Sequence, residues 1–323
     1  MASIGVTEPH RLSLERIAEA AGVIDPVFLD SPQFLAESLG RELDCELLVK
    51  VETLNPIRSF KARGTEFLTA SLAGRPRLVC ATAGNFGQGM AWSARKRGFS
   101  ITAFTATTAN PLKVERMRAL GAEVLQVGED FDEAHEEAKT FAARNGARVV
   151  EDGRDVEIAE GAGTIGMELL RWREPFDAIV VPLGDGALLA GIARWVKAHS
   201  PATRMIGVCA SGAPAMERSW RAGTVLELPA QTIADGIAVT SPFPEALADI
   251  TGVIDEIVLV DDDSIVSAIR RAHSDLGVVL EPAGAAALAA VMVHAERFRG
   301  QLVAAILSGG NATVEQLARW LAP

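Results

Sequence analysis

The stretch Ala178-Ile179-Val180-Val181-Pro182-Leu183-Gly184-Asp185-Gly186-Ala187-Leu188-Leu189 joins an apolar, β-branched run through a glycine turn to a helical period. A strand without polar alternation is covered on both faces, as in a parallel sheet, and strand, tight turn and helix in succession make one βα unit. Similar runs recur downstream at 205–209, 256–260 and 301–307, and upstream at 77–82, 101–105, 123–127 and 148–151. Helical periods fill the gaps and stop at signals such as Lys96-Arg97-Gly98 and Leu120-Gly121. The pattern predicts an α/β fold of two doubly wound, open twisted sheets with a binding cleft between them.

At 323 residues the chain is long enough to bury a large core and to divide into two domains. A net charge of −11 without a block of Lys or Arg disfavours nucleic acid and anionic membranes as partners, leaving small-molecule chemistry. The apolar segment 283–293 is shorter than the roughly 20 residues that span a bilayer. Residues 1–16 mix acids and bases and lack the apolar core of a leader, so a cytoplasmic location is expected. Cys45, Cys80 and Cys209 lie in apolar surroundings with no CxxC spacing, which predicts core residues and neither a disulfide framework nor a zinc site. His10, His135, His199, His273 and His294 lack metal-ligand or triad spacing and read as surface or cap residues. Asp261-Asp262-Asp263-Ser264 reads as a cap for the following helix.

The run Asn55-Pro56-Ile57-Arg58-Ser59-Phe60-Lys61-Ala62-Arg63-Gly64 places Lys61 in a turn before an apolar helix, beside an aromatic ring. A lysine desolvated there becomes a reactive amine at neutral pH. In the 178–189 unit, the N–H groups of the glycine turn and the helix start form an anion cradle over Gly184, Asp185, Gly186, Ala187 and Leu188. It lacks the Gly-Lys-Ser/Thr ending of an NTPase loop, and the charge of Asp185 requires that side chain to turn away from a bound phosphate. A second loop, Ala81-Thr82-Ala83-Gly84-Asn85-Phe86-Gly87-Gln88-Gly89, precedes a helix expected over 90–97. About 20 residues on, a dinucleotide site would require an acid, but the chain reads Phe104-Thr105-Ala106-Thr107, which disfavours NAD. The Thr82 hydroxyl, the Asn85 amide and the exposed N–H groups of that turn suit a carboxylate and a phenolic oxygen instead. The third loop, Leu307-Ser308-Gly309-Gly310-Asn311, offers a hydroxyl that can face a neutral ring nitrogen. Each loop taken singly is also an ordinary capped turn. Together with one amine they describe a phosphate-bearing aromatic aldehyde, pyridoxal 5'-phosphate on Lys61.

Over nearly its whole length the chain resembles a fold-type II pyridoxal-phosphate enzyme of the threonine/serine dehydratase (ammonia-lyase) group, whose architecture is that of the tryptophan synthase β chain. The segments that carry the resemblance include Ser59-Phe60-Lys61-Ala62-Arg63-Gly64, Ala83-Gly84-Asn85, Thr232-Ile233-Ala234-Asp235-Gly236-Ile237 and Glu281-Pro282-Ala283-Gly284-Ala285-Ala286. Lys113-Val114-Glu115-Arg116-Met117-Arg118-Ala119-Leu120-Gly121-Ala122 and the Ser308 loop complete the set. The resemblance implies a large cofactor domain of residues 1–50 and 150–323 and a small domain of 51–149, with the active site between them. It implies that Lys61 carries the cofactor covalently beside Phe60. Asn85 would meet the ring 3′-oxygen, Gly184 to Leu188 the phosphate, and Ser308 the pyridine nitrogen. Thr82, Ala83, Gly84, Asn85 and Phe86 would line the substrate, with Lys61 removing the Cα proton as the β-hydroxyl leaves. The products would be a 2-oxo acid and ammonia, from threonine, serine or a related β-hydroxy amino acid, in a homodimer or dimer of dimers.

Departures from the group narrow the expectation. Ala83 stands where serine racemases of the group place a second acid/base serine, which disfavours racemisation. Cys209 and Ala215 replace the two acids of the relatives' divalent-cation site, so that metal site is expected to be absent. Phe86 replaces the usual histidine and enlarges the apolar surface beside the substrate. The chain ends at Pro323, soon after the Ser308 loop, without room for a C-terminal regulatory domain of the isoleucine-sensing kind. A β-replacement enzyme, of the cysteine or diaminopropionate synthase type, is the alternative activity. Glu281 and Asp235 carry no role that the residues alone assign.

Overall fold

The computed structural model describes residues 10–322; most of the N-terminal stretch expected to lack a leader lies outside the described residues. Ten strands run in chain order: β1 Gln33–Leu35, β2 Glu46–Val51, β3 Leu78–Ala81, β4 Ile101–Thr105, β5 Glu123–Gln126, β6 Arg148–Val149, β7 Ala178–Pro182, β8 Arg204–Ala210, β9 Glu256–Val260 and β10 Leu302–Leu307. They form a six-stranded sheet in the order β1-β2-β10-β7-β8-β9 and a four-stranded sheet in the order β5-β4-β3-β6. All pairings are parallel except that of β1 with β2. The strands read from their apolar runs are present, with 148–151 shortened to the two residues of β6.

Two strands escaped the sequence reading, and each has a physical reason. β1 is a three-residue edge strand, too short to show a period. β2 carries Lys50 in its interior, which breaks the apolar signal, yet Lys50 is buried because Glu168 and the Ser31 carbonyl satisfy its ammonium. The apolar segment at 283–293 is the helix Pro282–Val293, buried from Pro282 to Val291 and packed against β7 and β10. Of the cysteines, Cys80 and Cys209 are core residues, whereas Cys45 is half-exposed.

The helix that starts at Lys61, Lys61–Ser71, is locked to the helix Val156–Leu169 at a glycine contact. A Cβ on Gly161 would stand 2.5 Å from the Arg63 carbonyl oxygen, so only glycine allows this approach. Beside the contact, the wholly buried Arg63 guanidinium holds Glu52 at 2.9 Å and Glu168 at 2.6 Å. Its Nη1 also donates to Thr164 Oγ1 at 3.0 Å. Five donors in a rigid fork suit this shared, fully satisfied ion cluster, which a lysine could not complete. The predicted cap at Asp261 is present: its carboxylate accepts from the Ser264 N–H at 2.8 Å, ahead of the helix Asp262–Leu276.

Candidate active site

Loops that follow the C-terminal ends of strands meet at a single cleft, among them those after β2, β7 and β10 of the large sheet and after β3 and β6 of the small one. Parallel sheets place ligands at these ends. The cleft encloses about 690 Å³ and is bordered by Lys61, Thr82, Asn85, Asp152, Asp185 and Ser308 among others.

The loop after β2 presents Lys61. Asn55 builds the turn: its Oδ1 accepts from the Ile57 N–H at 3.1 Å and its Nδ2 donates to the Ser59 carbonyl at 3.1 Å. Arg58 lies in the left-handed region at φ 52, and its carbonyl accepts from the Gly310 N–H at 2.9 Å. The Phe60 N–H donates to the Ser308 carbonyl at 3.1 Å, so the start of the lysine helix and the serine loop after β10 are one tied unit. Lys61 Nζ stands 4.9 Å from the Phe60 ring centroid and pairs with Asp152. The expectation of a proton-poor amine is corrected here. Burial pulls the Lys61 ammonium down, but Asp152, Asp185 and Glu281 outweigh it and raise its proton affinity above the ordinary lysine value.

After β7, Gly184 to Leu188 turn into the helix Ala187–His199, longer at both ends than the expected 188–197. Among the described residues no protein acceptor takes the buried N–H groups of Gly186, Ala187 and Leu188, which border the cleft. Unpartnered buried donors at a helix start fit an anion such as a phosphate. Asp185 departs from expectation: instead of turning away it borders the cleft beside Lys61 and Asp152. Burial and the Asp152 charge push its carboxyl up to about 7, so close to neutrality it is half protonated and less repulsive to an anion than a full charge.

After β3 the loop is shorter than read, because the helix begins at Asn85 and runs to Arg97. The glycines that suggested a loop are tolerated within it because neighbours occupy their side-chain space: Met117 and Thr82 over Gly87, Thr65 over Gly89. Thr82 Oγ1 accepts from the N–H groups of Gly84 and Gly87 at 2.8 and 3.0 Å. Those two donors are therefore spent, while among the described residues no acceptor takes the N–H of Asn85 or Phe86. Ala83 and Phe86 line the cleft with them. The Asn85 side chain is fixed on two sides, its Nδ2 donating to Glu281 Oε1 and its Oδ1 accepting from Asn311 Nδ2 at 2.9 Å.

Several residues without a predicted role also border the cleft. Lys113 is buried and holds Asp235 at 2.8 Å and Glu281 at 3.0 Å, which gives both acids a place in the network behind Asn85. Burial opposes its charge, but Glu281 and Asp235 outweigh that and raise its proton affinity. His135, read as a surface residue, instead faces the cleft, 2.7 Å from Glu151 and stacked on Phe131 with centroids 5.8 Å apart. A Phe131/His135 spacing of four residues on a helix carried that signal. Asp152 was missed although it follows a strand end, the position where ligand contacts concentrate.

An amine, an anion cradle, an amide and a hydroxyl at strand ends of a two-sheet α/β fold define a cofactor enzyme of the aldehyde-phosphate class. The chain belongs to the pyridoxal-phosphate-dependent enzyme family, whose model matches residues 24–309, within the threonine dehydratase group. The biosynthetic L-threonine dehydratase of Lactococcus lactis is 30% identical over 317 residues, covering 95% of this chain and 76% of that protein. The L-threonine ammonia-lyase of Thermotoga maritima is 33% identical over 312 residues, covering 95% and 78%. Among solved structures, the processed form of threonine deaminase isoform 2 from Solanum lycopersicum matches with a TM-score of 0.88 at 30% identity, over 97% of this chain and 94% of that one. Maize serine racemase matches with a TM-score of 0.89 at 26% identity, over 95% and 96%.

Proposed function

We propose that the chain is a pyridoxal-phosphate-dependent ammonia-lyase that eliminates water from L-threonine, L-serine or a related β-hydroxy amino acid, giving a 2-oxo acid and ammonia. The observation that carries this reading is the convergence of the Lys61 amine with the unpartnered N–H groups of Gly186, Ala187 and Leu188 in one cleft. The relatives named above, threonine dehydratases and ammonia-lyases, support the same reaction.

Bound on Lys61, pyridoxal phosphate supplies an electron sink for the pair left at Cα when a proton is removed. Gly184 to Leu188 would hold the phosphate, Asn85 the ring oxygen, Ser308 the ring nitrogen and Phe60 the ring edge. Thr82 Oγ1, already accepting from two backbone N–H groups, keeps its own proton to donate to the substrate carboxylate, with the N–H groups of Asn85 and Phe86 beside it. Lys61 Nζ, once free, takes the Cα proton, and Asp152 stabilises the ammonium so formed. A cytoplasmic homodimer or dimer of dimers, with residues 51–149 as a small domain over the cleft, is part of the same proposal.

The test is release of 2-oxobutyrate from L-threonine by the purified protein with pyridoxal phosphate, beside Lys61→Ala. Product that depends on the lysine is expected. No product from either threonine or serine on a cofactor-loaded protein contradicts the dehydratase reading.

A further inference from the structure

One titratable pair at the cleft has no part in holding the lysine, the anion cradle or Asn85. His135, on the helix Phe131–Asn145, meets Glu151, in the loop after β6, at 2.7 Å between Nε2 and Oε1. Arg154 holds the other oxygen of that carboxylate at 2.9 Å. An ionised carboxylate only accepts, so the ring donates from Nε2 and the proton it can exchange is carried at Nδ1. Among the described residues Nδ1 has no hydrogen-bond partner, and it is not one of the enclosed orphan atoms. The side chain is 13% exposed and borders the cleft, so this nitrogen is open to what the cleft holds. Phe131 stacks on the ring at 5.8 Å and Phe243 meets it edge-on at 6.1 Å, which limits its freedom to turn. Glu151 is also the chain neighbour of Asp152, the partner of Lys61.

Loss of a β-hydroxyl needs an acid as well as a base, because hydroxide leaves poorly without a proton. Two other groups of the cleft are committed, Asp152 to Lys61 and Lys113 to Asp235 and Glu281. We propose that His135 is the acid of the elimination. Its Nδ1 proton passes to the β-oxygen as the Cβ–O bond breaks and water leaves, while the electron pair left at Cα, after Lys61 takes the Cα proton, closes the Cα–Cβ double bond. Glu151 is a positioning residue that fixes the ring through Nε2, in the manner of the third group behind a catalytic histidine. The assignment rests on the elimination reading of the cleft and adds to it the group that releases the hydroxyl.

The test compares L-serine with β-chloro-L-alanine on the cofactor-loaded enzyme, by initial rates of pyruvate release. Both lose the same Cα proton and give the same products apart from the leaving group, but chloride departs without a proton. His135→Gln should lower the serine-to-chloroalanine ratio of kcat by about 100-fold or more, as loss of a general acid requires. Glu151→Gln should lower the ratio in the same direction and by less. Asp185→Asn, which removes the other exchangeable proton near Lys61, should leave the ratio nearly as it is in the parent. A merely structural role for His135 would slow both substrates alike. Equal losses on the two substrates, an unchanged ratio in His135→Gln, or a fall confined to Asp185→Asn overturns the assignment and leaves elimination standing. No pyruvate from either substrate with the loaded parent enzyme strikes the elimination reading itself, and the assignment with it.

Discussion

The alkyl chain of Lys113 occupies the space where Gly84 would carry a side chain: a Cβ on Gly84 would stand 2.3 Å from Lys113 Cδ. Gly84 also adopts φ 139, a conformation that other residues rarely take. The loop after β3 and the buried Lys113, Asp235 and Glu281 group are thus fitted to one another. Gly84→Ala should displace Lys113 and cost about 1–3 kcal/mol through backbone strain alone, with more from the clash. Gly121→Ala is the control, since Gly121 has φ 95 but open space around it. Urea unfolding should show the first variant distinctly less stable than the second; equal losses would mean that the contact with Lys113 carries no weight.

Thr82 acts first as a scaffold. Thr82→Val leaves the Gly84 and Gly87 N–H groups, now bonded at 2.8 and 3.0 Å, without an acceptor in a buried site. Roughly 1–3 kcal/mol of stability should be lost, together with a raised KM for the amino acid, whereas Thr82→Ser should retain both. A valine variant as stable as the parent would contradict the bonding described.

The Arg63 cluster ties the lysine helix to β2 and to the helix Val156–Leu169. Arg63→Ala strands Glu52 and Glu168 in the interior and should cost about 3–5 kcal/mol. Burial would raise the Glu168 carboxyl, but Arg63 and Lys50 hold it down to about 2 from an ordinary 4.5. Its contribution is therefore present above pH 4.5 and lost as pH falls through about 2. Removing Arg63 should shift the acid-unfolding midpoint upward by circular dichroism; an unchanged midpoint would contradict this.

Asp185 has the opposite sign. Its carboxyl sits at about 7 in the fold against an ordinary 3.8, so between those values the folded chain holds a proton that the unfolded chain has released. Stability from this group is full below pH 3.8 and declines as pH rises through about 7. Asp185→Asn should flatten that decline and raise the Tm of the cofactor-free protein at pH 8. A slope identical in parent and variant would show that the carboxyl ionises normally.

The βα rhythm was legible because strands β4, β7 and β9, covered on both faces, are short continuous apolar runs whose bounds follow from the residues themselves. Lys61, Asn85, Gly184 to Leu188 and Ser308 were legible because each belongs to a polar or glycine-rich loop at a strand end, and the fold brings them to one cleft. What was not legible depends on distant partners. Lys50 is buried only because Glu168 arrives 118 residues later, and Lys61 keeps its proton because Asp152 lies 91 residues away in sequence. The helix at Asn85 begins early because Thr65 and Met117 fill the space beside its glycines, information that local propensity does not contain.

The most direct test of the site is to load the protein with pyridoxal phosphate, reduce it with borohydride and map the modified peptide by mass spectrometry. A phosphopyridoxyl group on Lys61 alone, absent in Lys61→Ala, is the expected result. Modification of Lys113 or a surface lysine in its place, or no stable adduct, would contradict the assignment of this cleft.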